Sequence, residues 1–181
     1  MQQSRKKEYM DQLKSNVLTV TRGLEKEDRK LALDYLRRHV RMDDLHRYAL
    51  KYFPEKTIVL GSGSNVARLM IVTRDPIKAE AKKRLERAWE KMNIPPQDIY
   101  YAHLRFVATK KKQDKRQEIL NKLVEIINPQ VVLTFDNIEV EAKKELVNFP
   151  YPIHILTRPD TKEQRKLLTR QLKEVRRSMY K

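Results

Sequence analysis

Apolar positions change their rhythm near Pro54. Upstream they recur at helical spacing. Leu13, Val17, Leu18 and Val20 fall on one face of a first helix, and Leu31, Leu33, Tyr35, Leu36, His39 and Val40 suit a second. Arg22-Gly23 supplies the break between them. A third short helix is expected over 43–52, with Asp43 or Asp44 near its N-cap and Pro54 ending it.

Downstream the pattern alternates between short apolar runs and helical stretches. Thr57-Ile58-Val59-Leu60 reads as a strand closed by a Gly61-Ser62-Gly63 turn. Residues 68–73 form a stronger strand, apolar on consecutive positions as a strand covered on both faces requires. Asp75-Pro76 is expected to start a helix through Met92, with Asp75 as its cap. Further strands follow over 98–102, 130–135 and 153–156. A helix with Ile119, Leu120, Leu123, Val124, Ile126 and Ile127 on its apolar side precedes the second of these. Asp136-Asn137 opens a helix to Val147. The last helix begins near Asp160-Thr161, where Thr161 and Gln164 have capping-box spacing, and runs towards Met179. Strands joined by helical crossovers predict a three-layer α/β/α sandwich with a mostly parallel central sheet, preceded by N-terminal helices. The chain divides accordingly into a helical extension, 1–42, and an α/β/α domain, 43–181.

Composition adds a partner class. The 181 residues carry 40 Lys+Arg against 24 Asp+Glu, a formal charge of +16, which attracts polyanions such as DNA or RNA. Lys-rich surfaces also serve thermal stability, but there the acids rise with the lysines, and here they do not. The absence of cysteine excludes a disulfide scaffold, a thiolate metal site and a cysteine nucleophile. No apolar run approaches the roughly 20 residues that a bilayer requires, so no membrane partner and a cytoplasmic location are expected. The four histidines form no close-spaced ligand set, so neither metal nor cofactor is expected.

In a parallel sheet, ligands gather at the carboxyl ends of the strands. His103 lies just past one strand, whereas His39 and His46 fall in the helical region and His154 reads as a core histidine. Asp75 is the one carboxylate placed like a catalytic acid, with an N-cap as its plainer role. Tyr100, Tyr101, Arg105, Phe106, Lys110, Lys111 and Lys112 suit stacking and phosphate contact at a nucleic-acid surface. A packed strand followed by a solvated loop is their plainer role.

From about Asp44 onward the segment order resembles the uracil-DNA glycosylase superfamily, closest to its bacterial and archaeal iron–sulfur family. The likeness runs from Leu60-Gly61-Ser62-Gly63 through the apolar strand to Thr73-Arg74-Asp75-Pro76, then through Asp98-Ile99-Tyr100-Tyr101, Ile126-Ile127-Asn128-Pro129 and residues 130–135 to Thr157-Arg158-Pro159-Asp160. Asp75-Pro76 matches the Asp-Pro form of the family's catalytic turn. Thr73 and Arg74 depart from it, standing where the family has Gly and then Gln or Glu. The family's base-reading Asn falls at or beside His103, and its catalytic His at Arg158. The aromatic stacking loop and all four cluster cysteines are missing.

Base excision needs edge hydrogen bonds, stacking, an oxyanion stabiliser and a carboxylate acting together, and of these parts Asp75 survives. The resemblance therefore implies a DNA-associated, noncatalytic superfamily member acting in replication or repair. Its phosphate contacts are expected from Arg74, Lys78, Arg105, Lys110, Lys111, Lys112 and Arg158, and the N-terminal helices would bind a replication or repair protein. One alternative is an active glycosylase with Asp75 as its carboxylate and His103 and Arg158 stabilising the departing base. The other is a protein–protein adaptor.

Overall fold

The computed structural model of the chain describes residues 11–12, 15, 22–54, 56–77, 79–108, 112–135, 138–139, 142–143, 153–157 and 161–180. The expected first helix and the helix after Asp136-Asn137 lie largely outside them. A turn at Arg22-Gly23, with Gly23 at φ +131°, leads into helix α1, Lys26–Tyr52. One helix therefore replaces the expected second and third. Nothing between residues 26 and 52 is Gly or Pro, and Asp44 pairs with Arg47 at 3.0 Å along the helix instead of capping a new one. Residues 42 and 43, where the sequence pattern divides the chain, are consecutive within it.

Among the described residues five strands follow: β1, Gly61–Gly63; β2, Leu69–Thr73; β3, Ile99–His103; β4, Val131–Phe135; and β5, Ile153–Leu156. Their spatial order is β1-β3-β2-β4-β5, with β1 antiparallel to β3 and the other four mutually parallel. Helix α2, Ala79–Lys91, links β2 to β3, and α3, Gln113–Ile127, links β3 to β4. Helix α4, Lys162–Met179, follows β5 and begins with the expected Thr161–Gln164 capping box.

Every residue of β2 is buried, because the alternating sides of the strand face two separate cores. Met70 and Val72 join α1 (Leu45, Ala49) and α3 (Ile119, Leu123, Ile127). Leu69 and Ile71 join α2 (Trp89) and α4 (Leu172, Val175, Met179). The result is the expected α/β/α sandwich, and α1 forms part of one of its layers. Arg38 fixes that packing. It pairs with Asp34 at 2.9 Å and donates to the Ile127 carbonyl, completing the C-terminus of α3, where a cation is favoured.

The Gly61-Ser62-Gly63 segment is the sheet's edge strand, not the turn expected of it. Residues 57–60 instead contribute an isolated Ile58–Val107 bridge and a Val59 N–H to Phe106 O bond of 2.8 Å. The cause is steric. A Cβ on Gly61 would stand 2.6 Å from Tyr100 Cε1 and would also meet the Tyr101 carbonyl. Only glycine lets the edge backbone approach β3 so closely.

A polar cluster joins α1 to α3. Tyr48 Oη donates to Glu118 Oε1 at 2.5 Å, and Lys115 and Lys122 each reach that carboxylate at 2.8 Å. Bonds from Lys115, Lys122 and Tyr48 hold the Glu118 carboxyl down to about 2. A depressed acid stabilises the fold fully above its unfolded value of roughly 4.3, and that contribution is lost as pH falls through 2. The side chains are a third or more exposed, so solvent limits the gain to roughly 0.5–1 kcal/mol. Glu118→Gln is expected to lower stability by that amount at pH 7. Chemical denaturation should show the difference shrinking between pH 4.5 and 2; a constant gap across that window would refute the assignment.

Candidate functional site

At the carboxyl end of the central strands, Thr73 and His103 are register partners on β2 and β3, 9% and 3% exposed. Thr73 Oγ1 lies 2.9 Å from His103 Nδ1, 3.0 Å from the Asp75 carbonyl and 3.3 Å from the Ala102 carbonyl. With the hydroxyl proton given to a carbonyl, Nδ1–H of the imidazole donates to Oγ1. Past the strands the two loops stay laced together: Leu104 N–H bonds Thr73 O, and Arg105 N–H bonds Arg74 O, both at 2.8 Å. Arg116 of α3, itself buried, donates to the Leu104 carbonyl at 2.9 Å and braces this lacing from below.

Burial pushes the His103 imidazole below its ordinary value, while the nearby Asp75 carboxylate opposes that fall and Lys82 adds to it. The sign for stability follows. The unfolded chain takes up this proton near pH 6.5 and the folded chain only lower, so His103 weakens the fold as pH drops below about 6.5. Asp75→Asn removes the opposing charge and is expected to move the His103 titration to still lower pH. An NMR titration of the imidazole protons checks this; an unmoved or raised midpoint would mean that Asp75 does not act on the ring.

Of the expected site residues, this edge brings together Asp75, His103, Arg74 and Arg105. Asp75 is exposed, as is Arg105, while Arg74 is partly covered. Asp75 does not cap α2, since Pro76 and Ile77 are non-helical and the described helix begins at Ala79. Lys112 stands apart at the start of α3. Its Nζ donates to Tyr52 O at 2.9 Å and lies 5.8 Å from the Phe53 ring centroid, tying the loop to the end of α1. Lys78, Lys110, Lys111 and Arg158 lie outside the described residues. His154 is half-buried, because β5 is an edge of the sheet. Among the described residues no cluster of three or more His, Asp or Glu could hold a metal ion, and no helix is long and apolar enough to cross a membrane.

A second basic feature lies at the opposite, amino end of the strands. Lys173, Arg176, Arg177 and Tyr180 line an open hollow of about 590 Å³. Leu172, Val175 and Met179 pack α4 onto the sheet, which turns these four residues outward. Tyr180 donates to Asp98 Oδ2 at 3.1 Å, just before β3, and Arg68, just before β2, places its Cζ 5.7 Å from the Tyr180 ring centroid. The tyrosine is thereby fixed as one wall of the hollow, with the Arg68 guanidinium over its ring. No sequence motif marks this feature. Its signal is the spacing 173, 176, 177 and 180, one helical face carrying three cations and an aromatic ring. No protein-family model matches the chain, and no curated protein matches it.

Proposed function

We propose that this chain is a DNA-associated, noncatalytic protein that acts in replication or repair on a scaffold resembling the uracil-DNA glycosylases. The observation that carries the reading is the hollow of Lys173, Arg176 and Arg177 walled by Tyr180. Three cations on one concave face suit consecutive phosphates, and an exposed, anchored phenol ring suits contact with a sugar or base. Arg74 and Arg105, joined through their main chains at 2.8 Å, add a second basic point at the other end of the sheet.

The noncatalytic part rests on Thr73 and His103. Both are buried, and each uses a polar side-chain atom on the other. A base-reading group must instead offer those atoms to an extruded nucleotide. Leu31 and Tyr35, 61% and 46% exposed on the outer side of α1, support a protein partner at that helix.

The test is binding of single- and double-stranded DNA across a salt series, combined with a cleavage assay on uracil-containing DNA. The expected result is binding whose logarithm falls linearly with log salt, without excision. Alkali-sensitive breaks that vanish in Asp75→Asn would establish the enzyme instead. Absence of binding at low salt would leave the charge as a solubility device and favour the adaptor.

A further inference from the structure

Helix α4 turns Leu172, Val175 and Met179 to the sheet, and its opposite side carries a row of cations. Lys162, Lys166, Arg170, Lys173 and Arg177 follow one another at steps of three or four residues, all exposed, and Tyr180 ends the row. Such steps keep side chains on one helix face, so the row runs for roughly 27 Å at about 1.5 Å per residue. Among the described residues none of these cations pairs with a carboxylate. The helix's own acids, Glu163 and Glu174, each fall one residue past a lysine of the row, which places them beside it and not in it. An unneutralised row of this length attracts a linear polyanion, and it extends well beyond the hollow at its end.

The aromatic end of the row decides which polyanion fits. Tyr180 is 48% exposed, its hydroxyl is held by Asp98 Oδ2 at 3.1 Å, and Arg68 stands over its ring. Arg68 does not itself border the hollow, which Tyr180 lines together with Lys173, Arg176 and Arg177. The ring is therefore held before anything binds and has little rotamer freedom left to lose. A held ring beside cations meets an unpaired base by its flat face while the flanking phosphates reach the cations. A duplex keeps its bases stacked on one another and offers that ring only backbone. An anionic membrane surface would meet the charges, but the apolar side of α4 is buried in the core and cannot insert. Resting on the DNA-associated reading, we infer that α4 is a single-strand track: the backbone of single-stranded DNA lies along Lys162 to Arg177, and one unpaired base stacks on Tyr180.

The full chain is titrated at low salt with a labelled oligothymidylate of about ten nucleotides, with the fully abasic strand of that length, and with the corresponding duplex, binding being read by fluorescence anisotropy. The oligothymidylate is expected to bind tightest, with the abasic strand about tenfold weaker for the lost stacking. Tyr180→Ala should weaken the oligothymidylate by the same factor and leave the abasic strand and the duplex unchanged, whereas Tyr180→Phe should retain most of the binding. Lys166→Glu, Arg170→Glu, at the far end of the row from the hollow, should weaken both single strands and make the salt slope shallower by about two. Melting curves accompany the variants, and the abasic comparison uses the unaltered chain, so it decides independently of their folding. Duplex binding as tight as the single strand, equal affinity for the abasic strand, or unchanged affinity in the Lys166→Glu, Arg170→Glu protein would overturn the track while leaving DNA binding in place. Binding to phosphatidylserine vesicles but to none of the three DNAs, or no binding at all, would overturn the track and the DNA reading together.

Discussion

Reversing the charge of Arg176 and Arg177 together is expected to lower DNA affinity about a hundredfold at about 0.1 M salt. Each phosphate neutralised by a cation releases close to one counterion, worth roughly a factor of ten at that ionic strength, and two contacts are removed. The Arg176→Glu, Arg177→Glu protein should also show a salt slope shallower by about two. The loss should be similar on every sequence, because phosphate contacts position without reading bases. Arg176→Lys, Arg177→Lys keeps the charge and should retain most of the binding. Both arginines also sit in the last turn of α4, where cations favour the helix by roughly 0.3–1 kcal/mol each. A melting curve therefore accompanies the binding measurement. Unchanged affinity in the doubly reversed protein, with loss on reversing Arg74 and Arg105, would transfer the contact surface to the carboxyl end of the strands.

The second large effect is on stability. Gly63→Ala is expected to destabilise the protein by roughly 2–4 kcal/mol, through left-handed backbone strain and overpacking together. Gly63 has φ +130°, and a Cβ there would stand 2.9 Å from Tyr100 Cα and collide with the Ile99 carbonyl. Both obstacles are main-chain atoms of the neighbouring strand, so no side-chain rotation relieves them. Gly23 provides the control. It has a similar φ of +131°, but among the described residues nothing lies within 4 Å of an added Cβ, so Gly23→Ala carries the backbone strain without the collision. Urea titration of the two variants separates the terms; equal losses would show that the edge strand yields to accommodate the methyl group.

These glycines also show how far sequence patterns reach. Glycines flanking a serine have the composition of a turn, and β-branched residues just before them have the composition of a strand. The structure places the regular ladder on the glycines because the backbone of residues 99–101 and the Tyr100 ring leave no room for a Cβ at either Gly61 or Gly63. Local propensity was overridden by a neighbour about forty positions away. The same applies to α1, where two aspartates suited an N-cap but packing of Val40, Leu45 and Ala49 carries the helix straight through.

The candidate sites divide in the same way. His103 and Asp75 were legible as strand-end residues because parallel strands aim their carboxyl ends at one edge. Their tie through Thr73 was not legible, since it depends on β2 and β3 pairing in register so that residues thirty apart become neighbours. The hollow on α4 was written in helical spacing, but which face of that helix meets solvent depends on where the sheet lies.

By itself, the sequence determined the α/β class, the strands β2 to β5, the capped start of α4 and the excess of positive charge. Each of these follows from residues close together or from a simple sum, so no knowledge of distant neighbours is needed. The tertiary structure alone decided strand order, the role of the glycine edge and the union of Thr73 with His103. Those depend on contacts between segments far apart in the chain, and such contacts are set by shape and burial, which a linear pattern does not contain.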